Sequence, residues 1–149
     1  MTSIAILFGA LSIATAPVQA VDDDVDCSNP GSTLEMNQCV AAGMEKQEAA
    51  LKAYLDIAYA KLRGEGRDDA EEVIAAIRAN QREWETYSKS ACSAVWDYWA
   101  EGTIRNYMAG KCQADLTYER MHHIWREYLM GNEGDPTLYP EPPREGSAY

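Results

Sequence analysis

Apolar side chains recur at helical spacing over three long stretches of this chain, and glycines stand in the gaps between them. Such a period can bury one face of a helix but not one face of a strand, so it restricts the chain to packed helices. The first stretch opens on Ser32-Thr33-Leu34-Glu35, a capping-box pattern in which Ser32 accepts a backbone N–H and Glu35 reaches back. Met44, Leu51, Leu55, Ala58 and Leu62 form its apolar stripe, Tyr54 and Tyr59 flank it, and Gly64 and Gly66 end it. Asp68 is the expected cap of the second, whose stripe is Val73, Ile77, Gln81, Trp84, Ala91 and Val95; Gly102, after the Trp96-Asp97-Tyr98-Trp99 cluster, is the expected stop. The third runs from about Thr103 to Met130, with Tyr107, Leu116, Met121, Ile124 and Tyr128 facing inward and Gly131-Asn132 as terminator.

The expected fold is all-α, an up-down-up three-helix bundle of roughly a hundred residues, a size that folds alone but gains from covalent staples. Composition agrees, because one Phe, four Trp and nine Tyr stand among helix-favouring Ala, Glu, Leu and Arg without the β-branched runs of a sheet protein. Residues 131–149 hold Pro136, Pro140, Pro142, Pro143 and little apolar periodicity, and are read as a flexible tail, extended or disordered.

Residues 1–21 carry no charged side chain, and the apolar segment Ile4 to Ile13 has the length of a signal-peptide core, too short to span a bilayer. Val18-Gln19-Ala20 offers small residues to a signal peptidase, which places cleavage after Ala20 and the helical domain at residues 21–130. The mature chain is then periplasmic or secreted, with no membrane span. Cys27 stands behind an acidic run, not directly after the apolar segment, so a lipidated N-terminal cysteine is not expected.

Export also decides the cysteine chemistry: four cysteines in a small exported domain read as two disulfides. Cys27, Cys39, Cys92 and Cys112 contain no C-x2-C pair, so no zinc site is expected. Counting from the two turns brings Cys39, Cys92 and Cys112 to one end of the bundle. Cys39–Cys92 with Cys27–Cys112 and Cys27–Cys39 with Cys92–Cys112 are both compatible with that register, and the first is preferred.

With 13 Lys and Arg against 24 Asp and Glu, the net charge is −11. No basic run exists to neutralise phosphates, which excludes nucleic acid and anionic lipid as main partners and suits a basic protein partner.

Asp26-Cys27, Glu35-Met36-Asn37-Gln38-Cys39, Leu51-x2-Tyr54-x-Asp56, Gln81-Arg82-x-Trp84-x2-Tyr87, Cys92, Cys112 and Leu116-Thr117-x2-Arg120 stand in this order. Together they resemble the lysozyme-inhibitor LprI-like N-terminal domain family over about Asp26 to Leu129. One departure is that members usually carry Arg directly after the Tyr of the Gln-Arg-x-Trp-x2-Tyr element, where this chain has Ser88 followed by Lys89. The resemblance implies an exported helical domain and, for the namesake, inhibition of lysozyme. The namesake is also a lipoprotein, whereas the anchoring cysteine is missing here.

Gln81, Arg82, Trp84, Tyr87, Thr117 and Arg120 belong to the family motifs and are assigned structural roles, with Trp84 in the core and Gln81 or Arg82 hydrogen-bonded to a neighbouring helix. Candidate binding residues are Asp68 and Asp69 in the acidic first turn, and Trp99 with Glu101 at the end of the second helix, where adjacent aromatics cannot all face one core. His122 and His123 point about 100° apart on a helix and do not form a chelating pair. Asp22, Asp24 and Asp26 have the first spacings of a calcium loop, but Cys27 stands where its glycine belongs. No nucleophile elbow, zincin motif or phosphate loop is present, so no catalytic residue, metal or cofactor is expected. The reading is an exported binding protein that occludes the substrate cleft of a basic lysozyme. The alternative is a cell-envelope structural or adaptor module that binds another exported protein.

Overall fold

The computed structural model describes residues 25–131 and 139–143; the proposed signal peptide and Asp22 to Asp24 lie outside them. Three α-helices form, α1 over Thr33–Gly64, α2 over Ala70–Tyr98 and α3 over Arg105–Ile124, and a π-helical turn, Trp125–Leu129, continues α3. No strand occurs among the described residues. None of the helices is long and apolar enough to cross a membrane.

Helix ends follow from local chemistry. Ser32 Oγ accepts the Glu35 N–H at 3.2 Å, and Glu35 reaches back to the Gly31 N–H at 2.6 Å, so two amides at the start of α1 are satisfied. Gly66, in the left-handed region at φ 67°, makes the turn into α2. The cap of α2 is Asp69 rather than the expected Asp68, and its carboxylate makes no cap bond because Arg67 holds both oxygens at 2.9 Å. The third helix begins at Arg105, two residues later than expected, and changes pitch at Trp125, where the Met130 N–H donates to the Trp125 carbonyl at 2.8 Å.

α3 is the central element. α1 and α2 each pack along it far more extensively than they meet each other. Gly110 of α3 lies so close to α1 that a Cβ there would stand 2.9 Å from Val40 Cγ1. The apolar core cluster joins Leu51, Leu55, Ala58 and Leu62 of α1 to Ile74 and Ile77 of α2 and to Met121, Ile124 and Leu129, in the half of the bundle nearer the α1–α2 turn. Tyr54 and Tyr59, placed beside the stripe by sequence, are buried within it; Met44 is only half-buried.

The other half is covalently stapled by Cys27–Cys39 and Cys92–Cys112, with Cα–Cα distances of 5.4 and 5.6 Å. The preferred expectation, Cys39–Cys92 with Cys27–Cys112, is therefore corrected. α2 has α3 and not α1 as its main neighbour, so Cys92 meets Cys112, while the segment before α1 folds back to bring Cys27 onto Cys39.

Within the Pro/Gly-rich tail, residues 139–143 follow a non-helical path docked on the bundle. The Tyr139 ring packs edge-on against Tyr54 at 4.9 Å, Tyr54 Oη donates to the Pro140 carbonyl at 2.9 Å, and Trp125 Nε1 donates to the Tyr139 carbonyl at 2.9 Å. Residues 132–138 and 144–149 lie outside the described residues.

Candidate functional site at the α2–α3 hairpin

The two clusters of candidate binding residues occupy opposite ends of α2. Asp69 caps its start and Trp99 its end, 29 helical residues apart. At a rise of about 1.5 Å per residue that separates them by roughly 40 Å, too far for both to enter one cleft.

The acidic end is partly self-neutralised, with Asp68 and Glu72 exposed and in no salt bridge among the described residues. Arg67 pairs with Asp69, Arg63 with Glu71 at 2.6 Å, and Lys61 with Glu65 at 2.9 Å. Hydrogen bonds from Arg67 and Arg63 lower the carboxyl pKa values of Asp69 and Glu71 respectively, so both stay ionised and already have partners.

The hairpin end differs in adding exposed aromatic side chains to its open carboxylates. Trp96 is fixed, since its Nε1 donates to Asn106 Oδ1 at 2.9 Å and the Arg105 guanidinium lies 4.2 Å over its ring centre. Arg105 also donates to the Ala100 carbonyl at 2.9 Å, and the Gly102 N–H to the Trp99 carbonyl at 2.8 Å, which closes the turn. With Trp96 held, Trp99 stands 37% exposed and Tyr98 83% exposed, their rings edge-to-face at 5.6 Å. Asp97 and Glu101 lie exposed beside them, and no salt bridge holds either among the described residues. Cys92–Cys112 ties the two arms of the hairpin together below this tip. The tip thus presents the aromatic faces of Tyr98 and Trp99 beside the Asp97 and Glu101 carboxylates.

Spacing along α2 explains where the family-motif residues go. Gln81, Trp84 and Ser88 share the inward face, whereas Arg82 and Tyr87 point to solvent, Tyr87 at 59% exposed. Arg120 Nε of α3 donates to Gln81 Oε1 at 2.9 Å, a buried bond between helices; burial lowers the Arg120 pKa. Thr117 is buried and donates back to the Gln113 carbonyl at 2.8 Å. Ser88, at the position of the family departure, is buried too: its Oγ accepts from Gln113 Nε2 at 3.3 Å and donates to the Glu85 carbonyl at 3.2 Å. Trp84 is half-buried against the core. Gln113 did not stand out in the sequence, because a polar residue on an apolar stripe gives no periodic signal, and Ser88 stood out only as a departure from the family element.

His122 contacts Glu141 at 3.0 Å, and His123 sits within 3.4 Å of Arg126. No group of three His, Cys, Asp or Glu able to hold a metal ion occurs among the described residues.

A model of the family described as lysozyme inhibitor LprI matches residues 26–123. The chain belongs to the lysozyme inhibitor LprI family. The matched span takes in both disulfides, the α1–α2 turn, the Gln81–Arg120 pair and the hairpin tip, and stops one residue before the end of α3. The π-helical turn and the docked segment 139–143 lie beyond the LprI match. No curated protein and no solved structure matches the chain.

Proposed function

We propose that this LprI-family protein is exported and inhibits a basic lysozyme by inserting the α2–α3 hairpin tip into the mouth of its substrate cleft. Family membership over residues 26–123 carries the reading, and the exposed Tyr98 and Trp99 beside unpaired Asp97 and Glu101 support the choice of surface. Aromatic side chains supply contact area at little entropic cost, while the carboxylates and the net charge of −11 steer the protein toward a cationic enzyme. Inhibition is steric and electrostatic, with no bond made or broken. Two disulfides suit an oxidising compartment, in keeping with export to the periplasm or beyond.

The test is lysis of a susceptible Gram-positive cell suspension by an animal-type lysozyme, with the oxidised domain titrated in at about 150 mM salt, where charge is screened over roughly 8 Å. A matched acidic helical protein serves as control. Saturating inhibition near equimolar, absent from the control, is the expected result. Inhibition that vanishes at this salt, or equals the control, overturns the reading and brings forward an adaptor role toward another exported protein.

A further inference from the structure

On the side of the bundle where α1 and α2 diverge above α3, a cleft of about 370 Å³ opens. It is near the lower end of ligand-pocket sizes, room for one long side chain rather than a peptide. Leu51 and Leu55 of α1 and Trp84 of α2 give it an apolar lining. Its hydroxyls are already engaged: Thr117 bonds the Gln113 carbonyl, and Ser88 bonds both Gln113 and the Glu85 carbonyl.

The charged groups are where the cleft stays open. The buried Arg120 guanidinium takes the Gln81 Oε1 at 2.9 Å, which turns the Gln81 amide nitrogen toward Glu85, whose Oε1 it meets at 3.2 Å. A carboxylate is thereby positioned on the α2 wall beside an indole. Glu48 lines the opposite wall on α1 with no ion pair among the described residues. Of the two lysines at the rim, Lys52 is held by Asp56 at 2.7 Å on the outer face of α1, leaving Lys89 as the one uncommitted ammonium against two carboxylates. With the Arg120 guanidinium behind Gln81 counted, two cations already match these two carboxylates, so it is the placement of Glu85 beside the Trp84 indole that selects a ligand.

We infer that this cleft is a receptor for a single arginine side chain of a protein partner. A guanidinium satisfies its features together: the planar group stacks on Trp84, its parallel N–H bonds reach the Glu85 carboxylate, and its methylene stem lies on Leu51 and Leu55. An arginine on a basic protein surface is the natural carrier under the protein-binding reading above, yet the cleft can be tested without any protein partner.

The experiment is a titration of the ¹⁵N-labelled, fully oxidised protein with N-acetyl-arginine amide, which carries one positive charge and no carboxylate. Its uncharged isostere N-acetyl-citrulline amide is titrated in parallel, and the Trp84 indole N–H is followed by NMR. Saturable shifts in the millimolar range are expected at Trp84 and at backbone amides of residues 48–55 and 81–89, with much smaller ones from the citrulline probe. Glu85→Gln and Glu48→Gln sit on exposed positions and keep the fold. Each is expected to weaken arginine binding about threefold to fivefold, the value of a partly exposed ion pair. Shifts that fail to saturate, that are equal for both probes, that gather at Glu101 or Asp68, or that survive both substitutions overturn the assignment. Failure here leaves lysozyme inhibition through the hairpin tip untouched, and failure of inhibition leaves this titration intact.

Discussion

Removing the buried Gln81–Arg120 contact from both sides should destabilise the bundle by less than the sum of the two single removals. Arg120 is 8% exposed and Gln81 9%, and the bond between them is one of the polar ties joining the middle of α2 to α3, with Gln113–Ser88 another. Gln81→Leu leaves a buried guanidinium short of its acceptor, and a hydrogen bond to a charged group is worth about 1.5 to 3 kcal/mol, so a loss of roughly 2 kcal/mol is expected. Arg120→Met leaves only an amide, which retains Glu85 as partner, and costs roughly 1 kcal/mol. The double variant replaces two desolvated polar groups by apolar ones of similar length. It should fall short of the sum of the single losses by about 1 kcal/mol or more, the coupling expected of residues in contact. Urea unfolding with the disulfides oxidised measures this, and an unchanged m-value confirms that stability alone has moved. At about 4 °C per kcal/mol for a domain near this size, Gln81→Leu lowers Tm by roughly 8 °C. Strictly additive losses would refute the reasoning, because the two side chains would then act through separate neighbours.

Cys92→Ala with Cys112→Ala opens a loop with a sequence separation of 20, and in the chain-entropy model costs about 3 kcal/mol, readable as a lowered urea midpoint. Proteolytic mapping of the oxidised protein should recover Cys27 linked to Cys39 and Cys92 linked to Cys112, and any peptide joining Cys39 to Cys92 contradicts the packing described. Gly110→Ala ordinarily gains up to about 1 kcal/mol of helix propensity, yet here its Cβ would strike Val40 at 2.9 Å, so a net loss of about 1 kcal/mol is expected; Val40→Ala in the same chain should relieve it. His123 has its pKa lowered by burial and then by Arg120, so the unfolded chain binds its proton first as pH falls. Stability should therefore be complete above the unfolded-state value near 6.5 and decline as pH drops below it toward the folded-state pKa, and His123→Asn should flatten that part of the profile in thermal melts.

Much of the architecture was legible because helical period and end signals are local. Ser32, Gly64, the Leu51–Leu62 stripe and the hairpin turn near Gly102 declare themselves within a few residues. Disulfide pairing did not, since the register sets Cys39, Cys92 and Cys112 at one end of the bundle and cannot tell which helix α2 leans on. The tie between Gln81 and Arg120 was half legible: the motif named both residues, but only packing brings them together. Tyr139 was hidden altogether, because one aromatic anchor in a proline-rich stretch makes no pattern, although Tyr54 and Trp125 hold it. The acidic turn was legible only in part, for a related reason. Sequence counts charges, whereas the structure pairs Asp69 with Arg67, leaves Asp68 exposed beside it, and sets Asp97 and Glu101 next to aromatics at the far end of α2.

The central claim is that inhibition runs through that far end. Three forms of the oxidised protein are compared in the lysis titration at about 150 mM salt: the native chain, Trp99→Ala with Glu101→Gln at the hairpin tip, and Asp68→Asn with Asp69→Asn at the α1–α2 turn. Thermal melts verify that all three are folded. The account predicts near-equimolar inhibition by the native and acidic-turn forms and a loss of about tenfold or more for the tip form, the scale of an interface anchor. Equal inhibition by the tip form, or loss confined to the acidic-turn form, would contradict it.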